Sequence, residues 1–555
     1  MSGPTLGVSG TIPNNYLTVE SNIFNRAQNA IFAVGLATAP DVGGVYTGNT
    51  IGSADPLEKM GYRGIAVQNA SDFVISKNDI KGVTLASTAT VSGILVGAAI
   101  SNGVVTQNKV SDITNTNAGG YGANGIYTNA FVGSTNLLVS NNFVSEVTGN
   151  GYNLGGIGDN GNGIVVGNAG SGIKIYNNTV ALSKNQTVAG RPSAINFLST
   201  ATTVGSIDVR NNIFVNNQTT TGQKYAIYSA APKASFVNFD YNDYFTTGAN
   251  IGFIGTTQVL DLASVQTNFG YNLNSKNVNP AFVSATDLHL TTIGNAQLDK
   301  TATPLAEVIV DFDGETRSAT TPDIGADEFV ATYTYNVGAT GDYTSLTNVG
   351  GAFEALNSGT PAGNLVYNII DDLTAETGTV PINAVAGGYN ITIKPSGAAR
   401  IISGTTASNA LIRTSGASNI TIDGSLSGGT DQSLSITNLA TTAPQVVRFG
   451  SLTTPMVNNT LKNTIITNGA NTSTAVVIAS DTGTLRIFKA KTTQSQSGSI
   501  RGIPVNKTTF ACFRFRKLAA SAPPVKSSAI TASLIRFIST PLPSTNDMIL
   551  INDIT

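Results

Sequence analysis

The sequence predicts an all-β protein made of tandem parallel β-helices, solenoids whose short strands stack coil upon coil, with one short capping helix in the second. Three observations predict it. Charged residues are only 11% of 555, and there are 59 glycines. Gly, Asn, Thr and Ser take the surface places that Lys and Glu fill in helical proteins, which is a turn-rich β composition. One short pattern recurs along the first half of the chain. Each recurrence is too small to bury its own apolar side, so the copies must stack to make a core.

The pattern is clearest in "LLVSNNFVSEV" (137–147). Asn is depleted in strands, yet two interrupt an apolar run here. Aligned on the second Asn of this pair, the repeats anchor at Asn22, Asn78, Asn108, Asn142, Asn178, Asn212 and Asn242. After a first gap of 56 the spacings are 30, 34, 36, 34 and 30. Val19, Ile75, Val105, Val139, Ile175, Val209 and Phe239 stand three before the anchors, and Phe24, Ile80, Val110, Val144, Val180, Phe214 and Tyr244 two after. Five before stand Leu17, Phe73, Gly103, Leu137, Ile173, Ile207 and Val237. Period 2 broken at one position reads as two strands meeting at a corner. A further strand centres on Ile65, Ile94, Ile126, Ile164, Ile195 and Ile227. Asn tolerates the left-handed conformation of a corner. The amides of Asn78, Asn108, Asn142, Asn178, Asn212 and Asn242 are expected to bond coil to coil as an internal ladder. Residues 35–64, in the long gap, read as a loop excursion or an irregular coil.

Segments such as "GIAVQNASDFVISKNDIKG", "GIVVGNAGSGIKIYNNTV" and "IDVRNNIFVNN" resemble the right-handed parallel β-helix repeats of the pectin-lyase-like superfamily. The resemblance covers about 15–250. It implies a right-handed solenoid and a secreted bacterial surface protein. It leaves function open, because lyases, hydrolases, epimerases and adhesins share the fold.

The first β-helix is assigned to 1–270 and its closing segment to 271–330. "DFDGETRSATTPDIGADEF" is similar to the stretch that follows the last coil in secreted β-helix proteins. Its carboxylates Asp311, Asp313, Asp323, Asp327 and Glu328 could gather around Ca²⁺, a hard cation that takes oxygen ligands, or cap turns and pair with Arg317. Calcium is the one cofactor candidate. A second β-helix is assigned to 331–485. Leu346, Val349, Phe353 and Leu356 have helical spacing, so a helix over about 344–357 is expected to cap it. The strand-like segments "NLVYNIID", "YNITIKPSG", "ALIRTSGASNITIDG" and "QSLSITN" follow.

Residues 486–555 hold 10 Lys/Arg against 2 Asp/Glu, an atypical basic tail, disordered or mis-framed. The first solenoid has no capping helix at its start and the second has no terminator, as expected of a slice of a longer array. The single cysteine, Cys512, excludes an internal disulfide. The formal net charge of −2 gives no reason to expect nucleic acid. No apolar run is long enough for a spanning helix, and the first residues carry no secretion signal.

Function should lie on the outward columns two and four before each anchor. In the early coils these are bland. In later coils they are Lys174 and Tyr176, Asp208 and Arg210, Asn238 and Asp240, one polar patch with an aromatic suited to a glycan, or a cross-strand ladder of opposite charges. The only histidine, His289, reads as a turn or edge residue. "GGIGDNGNG" (155–163) reads as a loop. The adjacent carboxylates of "IIDD" (369–372) point to opposite faces. The expected function is that of a secreted or cell-surface stalk or adhesin-like protein with a polysaccharide or surface glycan as partner. The alternatives are a polysaccharide lyase or glycoside hydrolase, and a purely structural repeat block.

Overall fold

The computed structural model describes residues 12–492, except 131–132, 152–156, 169, 221, 408, 452–453, 472–475, 481–484 and 489–490. The basic tail beyond 492, with Cys512, lies outside the described residues. The chain forms a right-handed parallel β-solenoid of about 13 turns. All described strands belong to one compact unit.

The coils of residues 12–260 each contribute to three sheets, some giving two short strands to one of them. The strands before the anchors, such as Thr135–Ser140, Ser171–Tyr176 and Ile207–Arg210, form the first sheet. Those after the anchors, such as Phe143–Ser145, Thr179–Leu182 and Ile213–Asn216, form the second. The third stacks the isoleucine column in register, Ile65 on Ile94, Ile126, Ile164, Ile195 and Ile227. Most inward positions are β-branched or aromatic because such side chains fill a pleated core one layer per coil. Gly103 keeps an apolar column filled by yielding its space. A Cβ there would stand 2.3 Å from the Phe73 ring of the preceding coil.

Residues 35–64 are a regular coil, with strands Asp41–Val42, Val45–Thr47 and Thr50–Ile51 in the first and second sheets. Asn49 is its anchor, which splits the apparent gap of 56 into two ordinary coils. In the last coil a register shift after Ile207 brings Phe236 inward in place of Val237, which is 50% exposed.

Two short α-helices are present among the described residues. The first, α1 (Leu262–Phe269), closes the end of the first solenoid and was not legible as a cap. Asp261 caps it by accepting from Ser264 N–H, and Val265 and Phe269 enter the core, where Phe269 packs edge-on against Phe239 at 5.1 Å. The second, α2 (Ala352–Ser358), is shorter than the expected 344–357. Gly350 at φ +81° breaks the stripe, so Leu346 is buried in a turn and Val349 is 72% exposed. Phe353 and Leu356 cover a second core whose strands include Asn364–Ile369, Ile391–Pro395, Ala410–Ser415, Ile420–Asp423 and Leu434–Asn438. These strands share no sheet with the first solenoid. Asp371 and Asp372 accept from Ala339 N–H and Ile401 N–H in separate turns.

The closing segment does not end the solenoid but straps its flank. From Lys276, bonded to Asn242 O, it runs back along the second sheet to residues 311–312 at Gln107. It then returns to Gly325 and Ala326 at Asn211 and Thr179. Leu288, Leu290, Leu298, Ile324 and Ala326 pack on the outward side chains Phe143, Ala181, Ile213 and Val215. Gly325, at φ +107°, sits so close that a Cβ would stand 2.6 Å from Ile213.

Asp243 is enclosed where the strap begins. Its Oδ1 accepts from Val278 N–H at 2.8 Å, and its Oδ2 has no partner. Burial pushes its carboxyl up to about 7, against the pull of the Val278 and Tyr244 amides and Lys276. A raised acid contributes stability that is full below the unfolded value near 4 and is lost as pH climbs through about 7. Asp243→Asn is therefore expected to stabilise the protein at pH 8 by on the order of 2 kcal/mol and to leave it nearly unchanged at pH 4. Thermal unfolding at both pH values measures the difference; an equal effect at the two would show that Asp243 does not titrate in this range.

Candidate functional site

The six patch residues are brought together as the register requires. Lys174 pairs with Asp208 and Tyr176 with Arg210, and Asn238 and Asp240 follow on the next coil. Their side chains, however, are engaged with the protein itself. Tyr176 is 2% exposed and has no free ring face for a sugar. Arg210 donates Nε to Asp208 Oδ1 at 2.7 Å, Nη2 to Asp208 Oδ2 at 2.8 Å and Nη2 to the Tyr176 hydroxyl at 3.1 Å. Asn238 Nδ2 donates to the same Asp208 carboxylate at 2.9 Å. Burial, with Asp208 adding, holds the Tyr176 hydroxyl well above the usual phenol range. Lys174 reaches out to Glu307 of the strap. Asp240 accepts from the Asn274 backbone and side chain, both at 2.8 Å, and so fixes the loop after α1. Beside Lys174 and Glu307 lies a shallow groove of about 360 Å³, floored by Gly103, Val104, Leu137 and Leu138 and edged by Asn102 and Asn136.

The two asparagines of the repeated pair have separate jobs. The anchor, the second, points inward. Asn142 Nδ2 donates to Asn178 Oδ1 at 2.9 Å, to Val105 O of the previous coil at 2.9 Å and to Ser140 O at 2.9 Å. The same side-chain link joins Asn78 to Asn108, Asn108 to Asn142, Asn178 to Asn212 and Asn212 to Asn242. It also extends back through Asn49 to Asn22. The left-handed residue is not the anchor but the one before it: Asn141 at φ 52°, Asn177 at 49° and Asn211 at 63°. That backbone turns the first side chain outward, toward the strap. Gln107 Nε2 donates to Asp311 O at 2.8 Å, and Asn141 Nδ2 to Val310 O at 2.8 Å. Asn177 Nδ2 donates to Gly325 O at 3.2 Å, and Asn211 Nδ2 to Thr303 O at 2.7 Å. The sequence reading missed this second column. Its signal was present: an amide stands before the anchor at 107, 141, 177 and 211, but Lys77 and Tyr241 stand there in the coils on either side.

The five strap carboxylates do not converge. Asp311 Oδ1 accepts backbone N–H from Asp313, Gly314 and Glu315, and its Oδ2 accepts from Glu328 N–H. Asp323 accepts from Lys300 N–H at 2.6 Å and Phe329 N–H at 2.7 Å. Burial, with Glu328 adding, pushes its carboxyl up to about 8. Glu328 accepts from the amides of Ser318 and Asp323 and from Arg317. These three are fully used in shaping the strap. Asp313 and Asp327 turn instead to His289, whose Nε2 stands 2.8 Å from Asp313 Oδ2.

Fold and flank together define a strapped parallel β-solenoid protein. Compared with known proteins, the chain matches no protein-family model and no curated sequence. Among the described residues no helix is long and apolar enough to cross a membrane.

Proposed function

We propose that the chain is a secreted or cell-surface β-solenoid of the pectin-lyase-like kind that acts as a stalk or adhesin-like module without catalysing a reaction. One observation carries this reading. The polar side chains along its later coils bond to one another and to the strap, so the groups best suited to handle a substrate serve instead to join coils. The contacts of Arg210 with Tyr176 and of Asn238 with Asp208, together with the inner amide column, resist shear between neighbouring coils, as a rigid spacer needs. The rival reading is a polysaccharide lyase or glycoside hydrolase. Incubation with a panel of acidic and neutral polysaccharides, read by reducing ends and by unsaturated products, decides between them. No turnover is expected, and turnover of any member overturns the proposal.

The groove beside Lys174 favours a glycan contact as a second function. It places an ion pair and two asparagines over an apolar floor. The double variant Lys174→Ala/Glu307→Ala removes an exposed pair and should change stability by less than about 1 kcal/mol. On a glycan array it is expected to lose whatever signal the wild type gives. An unchanged array would remove the groove from consideration.

A further inference from the structure

We propose that His289, Asp313 and Asp327 form a binding site for a first-row divalent cation, zinc in particular, that fastens the strap to itself. The three residues come from separate turns of the strap, and their ligand atoms all lie within 4.8 Å of one another. One imidazole nitrogen with two carboxylate oxygens suits zinc better than calcium, which takes six to eight oxygens.

The surroundings are those of a prepared ligand. His289 Nδ1 faces Asp287, the carboxylate–histidine arrangement that fixes a ring and directs its other nitrogen at a metal. The ring packs edge-on to Phe143 at 4.8 Å and to Phe312 at 5.5 Å. Asp327 is positioned by Leu290 N–H, which donates to its Oδ2 at 2.7 Å. Asp313 rides on the turn that Asp311 holds by three backbone amides. Ligands ~2.0–2.1 Å from tetrahedral zinc stand about 3.3 Å apart. Asp313 Oδ2, now 2.8 Å from Nε2, would move outward slightly as Nε2 gives up its proton to solvent, and the Asp327 carboxylate, within 4.8 Å of both, would close on the ion. Asp313 is half exposed, so water can reach the fourth position.

Zn²⁺ titrated calorimetrically into the full chain in metal-free buffer tests this, with Co²⁺ absorption as a spectroscopic readout. One equivalent is expected, with Co²⁺ bands of four- or five-coordination. Asp287→Asn should weaken binding by ~10–100-fold, and His289→Ala and Asp313→Asn by at least as much. Asp313→Asn lies on an exposed turn and keeps the test valid if His289→Ala fails to fold by circular dichroism. Absence of stoichiometric Zn²⁺ binding overturns the proposal. So does binding unchanged in the folded Asp313→Asn variant, or Ca²⁺ binding as tight as Zn²⁺.

Discussion

Asn142→Leu is expected to destabilise the coils around it by about 3–5 kcal/mol. Leu keeps the branched outline of Asn but puts two bulkier methyl groups where the amide stood, so overpacking adds to the loss of bonding. Three donated bonds disappear, and Asn108, which reaches Asn142 Oδ1 with both its backbone N–H and its Nδ2 at 3.0 Å, is left without that acceptor. These groups are fully buried and water cannot replace the partner. Because a solenoid unfolds by neighbouring coils rather than all at once, amide hydrogen exchange is the measurement of choice. Protection should fall first in the coils anchored at 108, 142 and 178. Asn141→Ala, one residue earlier, should spare those amides and loosen the strap instead. A loss below about 1 kcal/mol for Asn142→Leu would refute the internal ladder as a source of stability.

Arg317→Ala should release the strap, at a cost of about 3–5 kcal/mol. Arg317 is 5% exposed. It donates Nε to Val310 O at 3.2 Å, Nη1 to Glu328 at 3.1 Å, and Nη2 to Asn141 Oδ1 at 2.9 Å and Gly325 O at 3.0 Å. The fork thus ties both limbs of the strap to the coil beneath. Its removal leaves Glu328 beside Asp323 with no buried cation between them. Arg317→Lys should rescue little, because an ammonium cannot reach four acceptors spread in a plane. Limited proteolysis of the alanine variant is expected to cut between about 303 and 328 well before the solenoid yields. Wild-type resistance there would mean that the apolar contacts alone hold the strap.

The coils were legible because stacking imposes one rule on every repeat: inward β-branched or aromatic residues at fixed offsets from a buried amide. Asn49 obeys that rule with Tyr46 and Ile51, but Gly44 left the column five before it without a side chain. The strap was legible as a closing motif, not as a lateral one. Its contacts span up to 205 residues, as between Gln107 and Phe312, and no local period records them. The outward columns misled for a related reason. Alternation shows that Tyr176 leaves the core, but not that Arg210 and the loops beyond lie across it. His289 carried no signal at all, since Asp313 and Asp327 reach it only when the strap folds back.

The two amide columns also bear on how such a chain could grow. Between Asn22 and Asn78 the anchors bond only their own and the adjacent coils, so a duplicated coil would find the same partners on both faces. Beneath the strap the coils are counted. Four outward amides at 107, 141, 177 and 211 meet fixed carbonyls on one covalent segment, and a coil inserted among them would put every later contact out of step. Variation in repeat number should therefore accumulate ahead of Lys77 in the lineage of this protein, while the strapped block is inherited whole.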